Sequence, residues 1–159
     1  MSSAKKLVQS FGTTTWIIKA QAKGLTEEQM LIQPPFRGNC FNWVVGHIAG
    51  NRDKALVLLG EEAIFSEAEA ARYLTGSEPV TGAETAISGQ RLLEAIEESQ
   101  ARLAAGLERV TVDDLAAIYN EERGQTVGDR IAGLHWHETY HTGQLELLRQ
   151  LAGTDDAII

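Results

Sequence analysis

Several features that would place a chain in a special class are absent from this sequence. Its 159 residues include one cysteine, Cys40, so no internal disulfide can form, and we expect this side chain to be a small buried hydrophobe. No apolar run reaches the roughly eighteen residues that a membrane-spanning helix needs. Polar residues follow the two lysines near the start, so no signal peptide is evident. A reducing cytoplasm is therefore the expected location.

Positive charge is also scarce. The chain has 14 lysine and arginine residues against 22 aspartate and glutamate residues, which gives a net charge of -8. Surfaces that bind nucleic acids or anionic membranes carry an excess of basic residues, so we expect neither partner. With 43% hydrophobic residues, the chain can bury one sizeable core, and residues 1–159 are expected to form a single domain.

Helical periodicity dominates the chain, and no segment alternates in the manner of a β-strand. Apolar residues at helical spacing predict four long helices, over residues 3–24, 40–59, 83–108 and 126–152. Asn39 is the predicted N-cap of the second helix, and Thr126 with Asp129 has the form of a capping box for the fourth. The predicted fold class is an all-α four-helix bundle.

The connections between these helices differ in length. Residues 61–83 are predicted to be a long connector with a short helical piece at 66–73. Such a connection can run the length of a bundle, so the second and third helices can be parallel neighbours. The pattern lapses over 111–125, where no element is predicted. The last residues are expected either to fray or to dock through Ile158 and Ile159.

Three of the four histidines fall within one short stretch of the last helix. His137 and His141 lie one turn apart on the same face, where two imidazoles can bind one metal ion. They occupy the middle of the buried stripe, where two unpaired imidazoles would be costly. His47 lies at the margin of the apolar stripe of the second helix. These three histidines are the candidate metal ligands, although a histidine on an apolar face is more often a hydrogen-bonded core residue.

The string from His137 to His141 also fits His-Glu-x-x-His, the zinc-protease signature in which the glutamate is the general base. The extended metzincin pattern requires a glycine and a further histidine downstream, but Gln144 and Leu147 occupy those positions. No predicted strand offers an edge for a peptide substrate, so a protease is disfavoured. Glu138 is kept as a candidate catalytic residue, with a solvated or ion-paired helix residue as the alternative.

Other residues near the candidate ligands have supporting roles in this interpretation. His135 points away from the metal-binding face of its helix, so it is expected to be exposed or packed. Asn51 and Gln144 each lie one turn from a candidate ligand and are possible hydrogen-bond donors to it. Trp43 and Trp136 are large aromatics, which are expected in the core rather than in a pocket wall.

Glycines flank the candidate ligands on both helices. Gly46 and Gly50 surround His47, while Gly133 and Gly143 lie on either side of the histidine pair. A glycine inside a helix costs up to about 1 kcal/mol relative to alanine, so each position requires a reason. Close approach of another element would provide one, and so would room for a substrate beside a metal.

Two motifs resemble a known family. The segment 42–49, NWVVGHIA, resembles the first-histidine motif of the DinB-like (YfiT-like) metalloenzyme family. The segment 137–145, HETYHTGQL, resembles the C-terminal His-x3-His-x-Gly-Gln motif of the same family. The resemblance covers most of the chain. It implies a four-helix bundle with an up-down-down-up arrangement, often a homodimer, and a divalent metal ion bound by His47, His137 and His141.

The resemblance also implies a class of reaction on a small-molecule substrate. Assigned family members include thiol-dependent S-transferases and a mycothiol-dependent isomerase, which implies a metal-dependent transferase that binds a small thiol. A hydrolase that uses metal-activated water and a non-catalytic metal-binding stress-response protein remain alternatives. Three imidazoles suit zinc, nickel, iron and copper alike; zinc or nickel is favoured here, and iron comes next.

Overall fold

The computed structural model describes residues 3–154 and residue 156, so the predicted docking of Ile158 and Ile159 lies outside the described residues. The described residues form seven helices and one small antiparallel hairpin. In chain order these are α1 (Ala4–Ala22), α2 (Glu27–Met30), α3 (Phe41–Leu58), α4 (Glu67–Ala71), α5 (Gly89–Arg109), α6 (Val112–Ala116), β1 (Ile118–Asn120), β2 (Gln125–Thr126) and α7 (Val127–Leu151). Within this part of the chain, no helix is both long enough and apolar enough to cross a membrane.

Capping residues explain most of the helix boundaries. The predicted capping box of Thr126 and Asp129 is present at the start of α7, and Gly153, at a φ of 86°, follows its end. The prediction of Asn39 as N-cap of α3 is wrong, because Cys40 occupies that position and no side chain accepts a hydrogen bond there. The predicted start of α5 at residue 83 is also wrong. Ser88 caps that helix, accepting a hydrogen bond from the backbone of its first turn.

The segment 111–125, for which no element was predicted, contains α6 and the hairpin. Thr111 and Asp114 form a capping box at the start of α6. Their spacing is the same as that of the box at α7, so the sequence contained the signal for this helix. The strands β1 and β2 are too short to show alternation, and only their pairing with each other identifies them.

The four long helices form the predicted bundle, in which α1 and α7 run parallel. Thr14 of α1 donates a hydrogen bond to Glu138 of α7. Nearer the C-terminal end of both helices, Arg149 of α7 donates to the backbone carbonyl of Gln21 of α1. Because both contacts advance in the same direction along the two helices, α1 and α7 share one orientation. Each of them also packs beside helices of the opposite orientation.

Helices α3 and α5 are parallel to each other and run opposite to α1 and α7. Asn42 bonds to the carbonyl of Ile87, and Arg52, later in α3, bonds to the carbonyl of Ile96. Arg52 also pairs with Glu138, whereas His47, earlier in α3, lies against the later residues of α7. In chain order, the directions of α1, α3, α5 and α7 are therefore up, down, down and up, as the family resemblance implied.

A buried polar layer lies between two apolar clusters of the core. One cluster contains Ile18, Ile48 and Ile96, and the other contains Phe11 and Leu103. The layer contains one side chain from each long helix, namely Thr14, Arg52, Ser99 and Glu138. Buried polar groups of this kind must satisfy one another, because water does not reach them.

Arg52, whose side chain is only 1% exposed, donates hydrogen bonds to each of the other side chains in this layer. Its guanidinium binds both carboxylate oxygens of Glu138, from Nε at 2.9 Å and from Nη2 at 2.5 Å. Further hydrogen bonds from Nη1 reach the carbonyl of Ile96 at 2.9 Å and Oγ of Ser99 at 3.2 Å. Nη2 also donates to the carbonyl of Phe11 at 3.3 Å. One arginine thus connects all four long helices.

We expect Arg52→Ala to lower the free energy of unfolding by about 3–5 kcal/mol, because it leaves the carboxylate of Glu138 buried without its cation. Urea unfolding followed by circular dichroism measures the change. The double variant Arg52→Met, Glu138→Leu removes both charges and should recover most of the loss. Equal stability of Arg52→Ala and the unmodified protein would contradict this role for the ion pair.

Candidate metal centre

The antiparallel packing of α3 against α7 brings the three predicted histidines together. His47 lies on α3, and His137 and His141 lie on α7. One ring nitrogen from each lies within 4.8 Å of the other two. The ring centroids are 4.5 to 5.1 Å apart, and each pair of rings meets edge to face. The predicted juxtaposition is confirmed, although His47 is about ninety residues away in sequence from the other two.

Hydrogen bonds define which nitrogen of two histidines is free to bind a metal. Nδ1 of His47 lies 2.6 Å from the backbone carbonyl of Tyr73, and Nδ1 of His141 lies 2.8 Å from Oε1 of Gln144. Since carbonyl oxygens only accept, both Nδ1 atoms must donate, and each Nε2 keeps its lone pair. The Nε2 atom is therefore the metal-binding atom of both rings.

The Nε2 atoms form a donor set that fits a divalent cation. Nε2 of His141 lies 3.1 Å from Nε2 of His137. Two lone pairs at this distance repel each other unless a proton or a cation lies between them. A cation bound to three imidazoles also requires second partners that hold the rings in place, and the contacts of His47 and His141 with Tyr73 and Gln144 supply these.

Asn51 lies beside the metal-binding atom of His47. Its Nδ2 is 3.1 Å from Nε2 of His47 and 2.9 Å from the backbone carbonyl of the same residue. A cation on that Nε2 would leave one N–H of Asn51 free to donate to another ligand of the cation. Asn51 is a donor to its candidate ligand, as predicted, but it donates to the nitrogen that would bind the metal. The prediction of a donor is wrong for Gln144, which accepts the hydrogen bond of His141.

Burial keeps the imidazoles neutral. It lowers the pKa of His47 to about 4, against the opposing effect of the hydrogen bond to Tyr73, and positive charge on His141 and His137 would lower it further. Burial also lowers the pKa of His137 and of His141. Neutral imidazoles are the form that binds metals, so near pH 7 protons do not compete strongly for these sites.

The ring of Trp43 forms one wall of the site. It stacks on His47 with centroids 4.8 Å apart and planes 10° from parallel, and its Nε1 donates to Oγ of Ser77 at 3.0 Å. Trp43 is buried as predicted, but it also lines the cavity beside the three histidines, so the expectation that it would not form a pocket wall is wrong. The prediction of a core position is wrong for Trp136, which is 71% exposed because it lies on the outer face of α7. Cys40 is buried as predicted, and burial raises the pKa of its thiol.

Glu138 and His135 lie next to the site in sequence but take other positions in the structure. The carboxylate of Glu138 is 2% exposed and is bound by Arg52 and Thr14 in the polar layer. It is an ion-paired residue, one of its two predicted alternatives, but buried rather than solvated. His135 packs edge-on against Phe11 at 4.9 Å, away from the three candidate ligands.

Two cavities adjoin the candidate ligands. One, of about 320 Å³, is lined by all three histidines together with Phe36, Trp43, Gln144 and Leu147. The other, of about 570 Å³, is lined by His47, Asn51 and side chains of the long connector, of the hairpin and of α7. His47 lies in the walls of both cavities. The sequence did not predict the larger cavity, because part of its wall comes from the long connector and the hairpin, whose path no periodicity encodes.

Gly46 permits the close approach that positions His47. A Cβ atom at Gly46 would overlap the ring of Tyr73, the residue whose carbonyl holds His47. At Gly50, Gly133 and Gly143 a Cβ would meet no atom within 4 Å. Of the two reasons considered for these glycines, close approach therefore applies to Gly46.

Gly46→Ala should lower the free energy of unfolding by about 1–3 kcal/mol, because the added methyl group must displace a buried aromatic ring. Gly50→Ala is the matched control on the same helix and should be neutral or stabilising by up to about 1 kcal/mol, since the space around it is open. Thermal or urea unfolding of both variants measures these effects. The account fails if the two substitutions have the same effect.

Removal of any one of the three histidines should abolish stoichiometric metal binding. We expect His47→Ala, His137→Ala and His141→Ala each to weaken zinc binding more than the roughly 10–100-fold that loss of an outer partner costs. Isothermal titration and elemental analysis of purified protein measure this. His135→Ala, on the same helix, is the control and should retain the metal. Purified protein that lacks metal and keeps its stability in a chelator would indicate histidines that only pack.

The fold and the site define an all-α bundle protein with three histidines, from its second and fourth long helices, gathered around one point. The chain belongs to the DinB superfamily, whose family model matches residues 18–145. A conserved protein from Enterococcus faecalis, known from a crystal structure, has a similar fold. Its TM-score is 0.76 at 15% identity, with 97% of this chain and 99% of that chain covered. A comparison with curated proteins finds no match.

Proposed function

We propose that this protein is a metal-dependent transferase that joins a small thiol to a second small molecule. The observation that carries the proposal is a pair of cavities, one of about 570 Å³ and one of about 320 Å³, that both include His47 in their walls. Two reactants can approach the same site from different sides in this arrangement. A hydrolase would require space for only one organic substrate and a water molecule.

The metal would be bound by Nε2 of His47, His137 and His141, with zinc or nickel as the favoured ion and iron as the next. A divalent cation with three imidazole ligands keeps positions open and lowers the pKa of a thiol bound there, so that the thiol reacts as a thiolate. The neutral imidazoles and the carbonyl oxygens of Tyr73 and Gln144 that orient two of them are what this chain contributes to the binding.

The acid–base groups of the site support a thiol over water as the nucleophile. Among the described residues, the lining of the smaller cavity contains no aspartate or glutamate. Of the two acidic residues in the wall of the larger cavity, Asp53 is bound to backbone N–H groups of the connector and Glu67 is exposed. Glu138, which would be the general base of a zinc protease, is bound to Arg52 instead. A thiol with a lowered pKa releases its proton to solvent and needs no resident base, whereas attack by water gains from one.

The chemical step is the formation of a bond between the thiol sulfur and an electrophilic carbon of the second substrate. The electron pair of the carbon bond that breaks leaves with the departing group. The N–H of Asn51 that points to Nε2 of His47 would donate to the group that gains negative charge once a cation occupies that nitrogen. The buried ring of Trp43 would shield the thiol side from water.

Cobalt-substituted protein tests the proposal directly. Addition of glutathione, bacillithiol or mycothiol should change the visible absorption spectrum for at least one of the three, because a sulfur ligand adds charge-transfer bands to the spectrum of cobalt. His135→Ala should retain the response, and His141→Ala should lose it together with the metal. A cobalt-loaded protein with no response to any of the three thiols would exclude the proposed reaction.

The hydrolase alternative makes a separate prediction that a turnover assay tests. It requires turnover of esters, amides or phosphates without added thiol, and His141→Ala should abolish that turnover. A metal-binding stress-response protein would show neither response.

Assembly as a homodimer and a cytoplasmic location, which the sequence suggested, stay predictions.

A further inference from the structure

The larger cavity has a mostly apolar wall that includes one candidate metal ligand, His47. His47 and Asn51 are its residues nearest to the metal-binding atoms. Most of the remaining wall is apolar and comes from α3 and from the long connector, including Val57, Leu58, Ala63, Phe65, Ala70 and Leu74. A cavity of about 570 Å³ with such a wall fits a small organic molecule with an apolar body.

Two cations line the same cavity. Lys54 extends from α3, and Arg130 extends from α7 with its guanidinium 5.7 Å from the centre of the ring of Tyr119. Among the described residues, neither side chain lies within ion-pair distance of a carboxylate, in a chain whose net charge is -8. Burial lowers the pKa of Lys54, and the positive charge of Arg130 lowers it further. Two like charges facing one cavity favour an anion there.

The acidic residues of the cavity do not neutralise these cations. Asp53 accepts hydrogen bonds from the backbone N–H groups of Ile64 at 2.9 Å and Phe65 at 3.0 Å, so its carboxylate holds the connector in place. Glu67 is exposed in the first turn of α4. The cationic pair is thus available to a ligand.

Lys54 is also connected to the candidate metal site through one side chain. Its Nζ donates to Oδ1 of Asn51 at 3.0 Å, and Nδ2 of Asn51 lies 3.1 Å from Nε2 of His47. A ligand held by Lys54 therefore lies within reach of the histidines.

We infer that Lys54 and Arg130 form an anion-binding subsite, and that the second substrate is a small organic carboxylate with an apolar body. Calling this molecule a substrate rests on the proposed function. The binding of a carboxylate at this subsite does not, because binding requires no reaction. Tyr119 holds Arg130 in place by stacking, which gives the hairpin of β1 and β2 a role in the site. The electrophilic carbon would then lie at the end of the molecule nearest His47.

Zinc-loaded protein titrated with phenylacetate and with phenylacetamide tests this inference. The two probes have the same ring, and only one carries a negative charge. Isothermal titration should show that phenylacetate binds at least about 10-fold more tightly, since charge-assisted hydrogen bonds are about twice as strong as neutral ones. The double variant Lys54→Met, Arg130→Met should lose this preference and bind phenylacetamide as before.

Lys5→Met is the matched control, because it removes the same charge from an exposed position on α1 and should leave both affinities unchanged. Equal binding of the two probes, or no binding of phenylacetate, would overturn the inference. A preference that survives in the double variant would also overturn it, since the carboxylate would then bind the zinc itself. The spectral response of cobalt-loaded protein to thiols is independent of these titrations, so either hypothesis can fail without the other.

Discussion

The buried ion pair between Arg52 and Glu138 is the interaction on which the rest of the structure depends. Both side chains are almost fully buried, so each charge requires the other and the hydrogen bonds around them. Those bonds involve all four long helices. A helix that slid along the bundle would leave a charge or a carbonyl without its partner, whereas the apolar layers on either side could repack.

The same register assembles the candidate metal site. His47 lies just over one turn before Arg52 on α3, and His137 is adjacent to Glu138 on α7. When the ion pair closes, antiparallel packing places His47 opposite the two histidines of α7. One face of α7 thus supplies the structural carboxylate, and the neighbouring face supplies the ligands. The residues that match the protease signature therefore have two different roles here. His137 and His141 are candidate metal ligands, whereas Glu138 points into the core and pairs with Arg52.

The sequence predicted elements whose signals are local. Four long helices follow from apolar spacing, the start of α7 follows from the box of Thr126 and Asp129, and the pair His137 and His141 follows from helical geometry. The errors are also local in origin. Cys40 replaces Asn39 as a cap without any side-chain hydrogen bond, and Ser88 begins α5 later than the apolar pattern suggested. Such boundaries depend on competition between neighbouring caps, which periodicity does not resolve.

The sequence alone determined the helical class, the candidate ligands and, through two motifs, the family. Only the tertiary structure decided that Glu138 is a structural residue, that Trp136 is exposed, and that Lys54 and Arg130 face the same cavity as His47. The physical reason is the distance in sequence over which the determining interactions act. A helix and its cap are specified by residues within a turn or two, whereas the environment of a side chain depends on the register between helices and on connectors whose path no periodicity encodes.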